Sequence, residues 1–194
     1  MSQRYMRLED LLDQIDEPFR SGCRRILAEN RTLFQIAPGS SHNHQAWTGG
    51  YLDHIQETLN IAVVLYERLN ALRALPFSLS DALLILFLHD LEKPWAYEKD
   101  LEGNVNRREV FKSKNAQQRF RVEKLGEYGL RLTFEHENAM RYVEGEIDHY
   151  TNRERVMSPL AAFCHLCDVA SARLWFNHPL GENDAWNGAR RFRG

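Results

Sequence analysis

The chain has 194 residues, a formal net charge of −2, 43% hydrophobic residues and 11% aromatic residues. This composition excludes a disordered chain and gives no sign of a general nucleic-acid-binding surface, so long nucleic acid is not an expected partner. Three cysteines, no signal-like N-terminus and no apolar run of about 18 residues predict a cytoplasmic protein that does not enter the membrane.

The first part of the chain is predicted to be helical. Apolar residues spaced three and four apart favour helix over residues 5–34, and Pro18 is expected to divide this stretch into two helices. A longer amphipathic helix is predicted from Tyr51 to Leu72. His54 lies beside the apolar stripe of that helix, where it is either a packing residue or a ligand.

The segment from Ala82 to Lys93 is predicted to be the central helix, because seven consecutive apolar residues are buried on every side. Ser78 and Asp81 have the spacing of a capping box that opens it, and Pro94 is expected to end it near Lys93. The apolar run is followed at once by polar residues: His89, Asp90, Glu92 and Lys93. A buried carboxylate costs several kcal/mol unless it is paired or binds a cation. This helix end is therefore a candidate metal site.

The second half of the chain continues the helical pattern. Residues 94–106 lack periodicity and are predicted to be a surface loop, and residues 107–124 are strongly basic. Helices are predicted from Thr133 to Tyr150, and from Ser158 to Trp175 with Pro159 in the first turn.

The fold class predicted from these patterns is all-α, a compact single-domain helical bundle. Helices in residues 1–40 are expected to pack on a core formed by residues 41–175. Residues 176–194 are expected to form a C-terminal loop.

Asp168 is a second carboxylate on a largely apolar helix face, where it needs a cation or hydrogen-bond donors. An arginine partner or a capping role would also satisfy it. Together with His89 and Asp90, however, it favours a metal, because three separate helices bring a histidine or an aspartate to the interior. Cys164 and Cys167 have metal-motif spacing but lack a second pair, so they are interpreted as core residues.

The series His54, His89-Asp90 and Asp168 resembles the H…HD…D signature of the HD-domain metal-dependent phosphohydrolase superfamily. Residues 49–54 (GGYLDH) are similar to the GGLLxH helix start of that family, and residues 89–93 (HDLEK) are similar to its HDxGK element. Glu92 departs from the family, which usually has a small residue there.

The resemblance implies a fold of the HD type and one divalent transition metal ion per chain (Mn, Fe, Co, Ni or Zn). Its ligands would be His54, His89, Asp90 and Asp168. The ion would lower the pKa of a water molecule and neutralise charge at phosphorus. The implied reaction is hydrolysis of a phosphate ester or anhydride in a small phosphorylated molecule, with a nucleotide as the favoured substrate.

Three further residues are predicted to be catalytic. Lys93 is expected to hold a phosphate oxygen, although a lysine that caps the central helix is the alternative. Glu92 is a candidate for proton transfer. His136 is predicted to face the substrate, and with His149 it marks where some family members hold a second metal.

Four residues are predicted to bind substrate. His42 and His44 precede the glycine pair, where some family members place histidines, with ordinary loop residues as the alternative. Arg107 and Arg108 begin the basic stretch, which is either a solvated helix face or a rim that attracts phosphates.

Two other functions fit the same residues. One is a regulatory or binding module that keeps the metal site without turnover. The other is a nuclease that acts on short oligonucleotides, which the basic stretch 107–124 favours.

Overall fold

A computed structural model describes residues 3–99, 105–146 and 149–192 of the chain. The described residues are mostly helical, which agrees with the predicted helical class. The helices in chain order are α1 (Leu8–Leu12), α2 (Phe19–Glu29), α3 (Arg31–Ile36), α4 (Gly50–Leu72), α5 (Leu79–Leu88), α6 (Lys93–Ala96), α7 (Lys114–Glu127), α8 (Phe134–Tyr142) and α9 (Pro159–Val169). A π-helical turn, Ala170–Leu174, extends α9. No helix within these ranges is long and apolar enough to cross a membrane.

Helix α5 lies at the centre of the domain, in contact with α4, α8, α9, α2 and α1. Residues 82–88 are almost completely buried. The predicted capping box is confirmed: the Ser78 hydroxyl accepts from the Asp81 N–H, and the Asp81 carboxylate accepts from the Ser78 N–H. Because this short apolar helix is buried on all sides, the polar residues that follow its C-terminal end also lie in the interior.

The predicted end of the central helix near Lys93 is wrong. Helix α5 ends at Leu88, and His89 is its C-terminal capping residue. Pro94 lies in the first turn of the next helix, α6, where a proline is well tolerated because that N–H has no helical partner. His89 and Asp90 therefore sit in a turn beyond a helix C-terminus, whose partial negative charge favours a cation nearby.

Other predicted boundaries also differ from the structure. The stretch 5–34, predicted as two helices, contains α1, α2 and most of α3. Helix α8 ends at Tyr142 rather than Tyr150, because Gly145 adopts a φ of 103° that ends the helical path. The loop predicted over residues 94–106 begins within α6 and contains β1 (Tyr97–Lys99), which pairs antiparallel with β2 (Val105–Arg107). Residues 100–104 lie outside the described residues. Strands of three residues are too short to give a reliable alternating pattern.

The segment 176–192 has no regular secondary structure, as predicted, but it is packed on the domain. The Trp186 ring lies edge-on to Tyr5 at 5.2 Å between centroids, and its indole N–H donates to the Gln3 carbonyl at 2.9 Å. The Phe192 N–H donates to the Asp53 carboxylate in α4. Both ends of the chain thus close over the same side of α4.

A buried carboxylate in α4 should make stability depend on pH. Glu57 accepts from the Tyr5 hydroxyl at 2.8 Å, and burial raises its pKa from 4.5 to about 7. A raised pKa favours the folded state below pH 4.5, and this contribution is lost as pH rises through about 7. Between about pH 5 and pH 8, we expect the free energy of unfolding of the wild-type protein to fall by about 2–3 kcal/mol relative to that of Glu57→Gln. Urea unfolding measures the difference.

The matched control for this prediction is Glu67→Gln, on an exposed position of the same helix. It should unfold with the pH dependence of the wild-type protein. Parallel curves for Glu57→Gln and wild type would contradict the assignment.

Candidate metal centre

Ligand atoms from three parts of the fold converge at the C-terminal end of α5. His54 Nε2 lies 3.2 Å from Asp168 Oδ1 and 3.4 Å from His89 Nε2. Asp90 Oδ2 lies 3.2 Å from His89 Nε2 and 3.5 Å from His54 Nε2. His54, His89 and Asp90 are buried, and the Asp168 side chain is 18% exposed. The four residues form one cluster with access from one side.

The start of α4 is built to place His54 in this cluster. Gly49 has a φ of 81° and precedes the first helical residue. A Cβ at Gly50 would lie 1.8 Å from the Gln45 carbonyl oxygen. Both positions therefore require glycine, one for its backbone conformation and the other for close approach. His54 follows one turn later and faces α5.

Hydrogen bonds behind the two imidazoles orient them toward the cluster. His89 Nδ1 donates to the Leu86 carbonyl at 2.8 Å, and His54 Nδ1 lies 3.1 Å from Ser171 Oγ. In the neutral form with the proton on Nδ1, each Nε2 would offer a lone pair to a metal ion, which is how metal-binding histidines are usually held.

The donor set fits a divalent transition metal. Two imidazole nitrogens and two carboxylates suit such ions, and ligand atoms held about 2.1 Å from one ion lie about 3.0–3.4 Å from each other. The observed separations of 3.2–3.6 Å are close to this range. Three of the groups, His54, His89 and Asp168, have ligand atoms that all lie within 4.8 Å of one another. Asp90 is outside this group, and among its members the Asp90 Oδ2 approaches only the two histidines.

Within the cluster, the cations of His89 and Lys93 balance the carboxylates of Asp90 and Asp168. Although burial opposes ionisation, the imidazoles that bond to Asp168 hold the pKa of that carboxyl well below its usual range. Burial likewise opposes ionisation of Asp90, but Lys93 and His89 lower its pKa. Burial disfavours a charged His89, yet the two carboxylates outweigh it and raise its pKa to about 10. A metal ion that binds here at neutral pH would therefore displace a proton.

Lys93 contacts the cluster directly. Its Nζ lies 2.5 Å from Asp90 Oδ2, and its side chain is 10% exposed. The alternative of a lysine that caps the C-terminus of α5 does not hold, because α5 ends five residues before it. Lys93 instead places a cation between Asp90 and the open side of the cluster.

Glu92 points away from the cluster. Its carboxylate pairs with Arg121 of α7 at 3.0 Å, and the same guanidinium donates to the His89 carbonyl at 2.8 Å. Glu92 is 1% exposed. These contacts fix the turn that carries His89 and leave Glu92 without contact to the cavity described below. The predicted proton-transfer role is therefore not supported by its position.

Behind His54, hydrogen bonds connect Ser171 of the π-helical turn to Gln45. The Trp175 N–H bonds to the Ala170 carbonyl five residues earlier, and the widened turn places Ser171 beneath His54. The Gln45 carboxamide donates to Ser171 Oγ at 3.3 Å and accepts from His44 Nδ1 at 2.7 Å. One fully buried amide thus supports two imidazoles.

Gln45 has a φ of 37°, in the left-handed region that disfavours non-glycine residues. Its carboxamide also donates to the Trp175 and His178 carbonyls, at 3.2 and 2.9 Å. Its N–H donates to the Phe176 carbonyl at 2.7 Å. Strain of this kind is typical of functional sites and is retained where surrounding contacts impose it.

Removing the Ser171 hydroxyl should weaken metal binding without unfolding the protein. We expect Ser171→Ala to lower metal affinity about 10–100-fold, because His54 loses the group that orients its ring. Competition with a chelator measures the affinity. Ser80→Ala is the control: Ser80 is also buried, but it bonds to the Asp16 N–H. Equal affinities in both variants would contradict the role given to Ser171.

A cavity of about 420 Å³ opens onto the cluster. Asp90 and Asp168 lie in its wall, and four basic side chains join them: Lys93, Arg107, Lys114 and Arg173. Its other lining residues include Ser40, Asn43, His44, Tyr97, Glu144 and His165. Such a volume is typical of a small-molecule site.

The structure brings His44 and Arg107 to this cavity. The His44 ring lies 4.6 Å from the His54 ring, and burial, followed by the charges of His54 and Lys93, lowers its pKa to about 4. Arg107 stacks over Tyr97 at 5.3 Å and donates to its hydroxyl at 3.1 Å. His44 can accept a hydrogen bond from substrate, and Arg107 supplies a fixed positive charge.

The structure does not bring His42 or Arg108 to this cavity. His42 is exposed and bonds to the Ser41 hydroxyl at 2.8 Å. Arg108 is exposed and donates to the Trp95 carbonyl at 3.3 Å. Successive residues of a strand face opposite sides. Arg108 follows the last residue of β2, Arg107, and therefore faces the other side.

His136 and His149 also lie away from the cluster. His136 accepts from the Thr133 N–H and lies 3.0 Å from Asp81 Oδ1, at the opposite end of α5. His149 is exposed and bonds to Arg141 at 3.0 Å. Neither contacts the four ligand residues, so their positions do not favour the second metal that the sequence allowed or a substrate-facing His136.

Several cavity residues carry no individual signal in the sequence. Lys114 lies in the basic stretch 107–124, which was predicted only as a group, and it pairs with Glu144. Arg173 follows Asp168 by five residues, which the π-helical turn brings to the same side. His165 donates from Nδ1 to the Val143 carbonyl at 2.7 Å, so its Nε2 acts as an acceptor.

Comparisons of the chain with protein-family models, with curated proteins and with solved structures returned no match. The class of site is therefore argued from geometry: a buried His/Asp cluster that can hold a metal ion, at the floor of a cavity with basic walls.

Proposed function

We propose that the protein is a metal-dependent phosphohydrolase of the HD type, which hydrolyses a phosphate ester or anhydride in a small phosphorylated molecule. The observation that carries this proposal is the convergence of His54, His89, Asp90 and Asp168 at the floor of a cavity with four basic side chains. The ligand series and the residues GGYLDH before it give the resemblance to HD proteins, and the helical fold is compatible with it.

The charges of the cavity favour a phosphorylated substrate. Once Asp90 and Asp168 are neutralised by a divalent ion, the walls present Lys93, Arg107 and Arg173, together with the Lys114–Glu144 pair. Phosphate is the common metabolite group that demands this much positive charge. Arg107, stacked on Tyr97, can bind it through two parallel N–H groups.

The residues of the chain have distinct roles in this proposal. His54, His89, Asp90 and Asp168 would hold the metal ion, which when bound lowers the pKa of a water molecule and withdraws charge from phosphorus. Lys93 binds a phosphate oxygen and stabilises the charge that develops there. Neutral His44 accepts a proton or a hydrogen bond beside the cluster. The pair Glu92–Arg121 keeps the His89 turn rigid.

A nucleotide is the favoured substrate, since a cavity of about 420 Å³ matches a ligand of that size better than a long polymer. A phosphate-release screen tests the proposal with nucleoside mono-, di- and triphosphates and each of Mn²⁺, Fe²⁺, Co²⁺, Ni²⁺ and Zn²⁺. We expect turnover with at least one ion and none after chelation. Tight binding without release would instead indicate a regulatory module. Cleavage of short oligonucleotides into nucleotides, without release of phosphate, would indicate a nuclease.

Substitutions of Arg107 and Arg108 test whether Arg107 attracts the substrate, with Arg108 as the matched control. We expect Arg107→Glu to raise KM about 10-fold, the loss of one charge-assisted contact, while kcat changes little. Arg108→Glu makes the same charge change on an exposed side chain that does not line the cavity. Its KM should stay within about twofold at 0.15 M salt, where exposed charges are screened. Steady-state kinetics with the substrate from the screen decides, and equal KM values would refute the role of Arg107.

A further inference from the structure

A second, larger cavity lies between the two ends of the chain. Its volume is about 940 Å³, and it is formed by residues 4–10 and 181–192 with Arg31 and Gln56. It has no lining residue in common with the cavity at the metal centre. We call it the arginine groove, because five guanidinium groups line it: Arg4, Arg7, Arg31, Arg190 and Arg191.

The positive charge of the arginine groove is only partly balanced. Glu9 pairs with Arg7 at 3.8 Å and with Arg31 at 3.4 Å. Within the described ranges, Arg4, Arg190 and Arg191 form no ion pair. Three carboxylates, those of Glu9, Asp10 and Glu182, line the groove with the five exposed arginines. Positive charge is therefore in excess, and it would attract an anion.

Contacts to rings and backbone position three of the arginines. The Arg191 guanidinium lies 4.1 Å from the centroid of the Trp47 ring, and that of Arg31 lies 5.6 Å from the centroid of Phe192. A Cβ at Gly188, whose φ is 90°, would lie 3.2 Å from Arg4 Nε, so glycine leaves room for Arg4. A guanidinium already held by stacking loses less entropy when it binds a ligand.

The walls of the groove are also tied together. The Tyr5 N–H donates to the Asn187 carbonyl at 2.9 Å, and the Trp186 indole donates to the Gln3 carbonyl at 2.9 Å. Asp53 accepts from the Phe192 N–H and, at 2.7 Å, from the Trp47 indole. The groove is therefore held in shape by contacts between the two ends of the chain and α4.

We propose that the arginine groove is a binding site for a small ligand with two or more phosphate groups, separate from the metal centre. Planar guanidinium groups bind phosphate through paired N–H donors, and five of them exceed what a single phosphate can contact. Asp10 and Glu182, both exposed at the groove, would repel a continuous phosphate backbone. This favours a small polyphosphate over nucleic acid. The inference does not depend on the proposed hydrolase activity.

Isothermal titration calorimetry of the 194-residue protein with imidodiphosphate, which resists hydrolysis, tests the proposal at 0.15 M NaCl. Binding should weaken more than about tenfold in Arg4→Ala/Arg190→Ala, since each lost charged contact is worth about that factor. Lys93→Met, which removes a phosphate contact of the other cavity, should keep the part of the binding that depends on the groove. Arg4→Lys/Arg190→Lys should bind with intermediate affinity, because charge remains while the paired donors are lost.

The matched control is Arg68→Ala/Arg73→Ala, which removes two exposed charges near the end of α4, away from both cavities. Its affinity should equal that of the wild-type protein within about twofold. If the affinity of this control for imidodiphosphate fell as much as that of Arg4→Ala/Arg190→Ala, the proposal would be overturned, because general electrostatic attraction would explain the binding. Loss of binding in Lys93→Met, or tighter binding of longer single-stranded oligonucleotides, would also overturn it. Unchanged affinity in a correctly melting Arg4→Ala/Arg190→Ala variant would overturn it directly.

Discussion

Purified wild-type protein should hold about one metal ion per chain, and Asp168→Asn should lose it. The substitution keeps the shape of the side chain but removes an anionic ligand that lies 3.2 Å from His54 Nε2 and 3.6 Å from His89 Nε2. Loss of a group that only orients a ligand costs about 10–100-fold in metal affinity, so loss of a ligand should exceed about 100-fold. Elemental analysis after dialysis measures the content, and phosphate release should fall with it.

Asp168 is a better position for this test than Asp90. Asp90 pairs with the buried Lys93 ammonium, and removing one partner of a buried pair destabilises a fold by about 3–5 kcal/mol. Asp16→Asn, an exposed aspartate, is the control and should keep its metal. Full metal content in a folded Asp168→Asn variant would remove Asp168 from the ligand set.

Lys93→Met should lower kcat/KM by about 10²–10³, which is the usual cost of removing one charged donor from a transition state. Its metal content should persist, because Lys93 is not a ligand and the ion neutralises Asp90. Lys93→Arg should recover only part of the rate, since a planar group replaces a compact ammonium beside Asp90. Single-turnover kinetics with the substrate from the phosphate-release screen measures all three proteins.

Lys112→Met is the matched control for this prediction. Lys112 is also paired with a carboxylate three residues away, Glu109, but it is exposed and does not line the cavity. It should retain the wild-type rate. If Lys93→Met melts normally, keeps its full metal content and works within about threefold of the wild-type rate, Lys93 has no role beyond pairing with Asp90.

The central helix and its burial could be predicted because their signals are local. Seven apolar residues before His89 require burial, and burial of Asp90 requires a partner. The capping pair Ser78 and Asp81 likewise lies within one turn and is confirmed. Asp168 needed the additional argument that its helix face is apolar. The resemblance to HD proteins grouped these residues. In the structure the ligand atoms of His54, His89 and Asp168 lie together, with Asp90 beside the histidines; their role as ligands stays a prediction.

The support of the cluster could not be predicted, because it depends on contacts between distant residues. Gln45 and Ser171 are 126 positions apart, and neither stands out by type or spacing. Glu92 stood out as a carboxylate beside the signature, yet its partner Arg121 lies 29 residues away. The different positions of Arg107 and Arg108 follow from a strand of three residues that gave no detectable pattern.

The π-helical turn at Ala170–Leu174 makes the metal centre sensitive to the number of residues in this helix. A π turn contains one more residue than an α turn, and each residue advances a helix by about 100°. Deleting Ala170 would let the α-helix continue and would rotate Ser171 and Arg173 away from His54 and the cavity. Insertions and deletions at this turn should therefore be tolerated far less than substitutions, even at exposed positions such as Leu174.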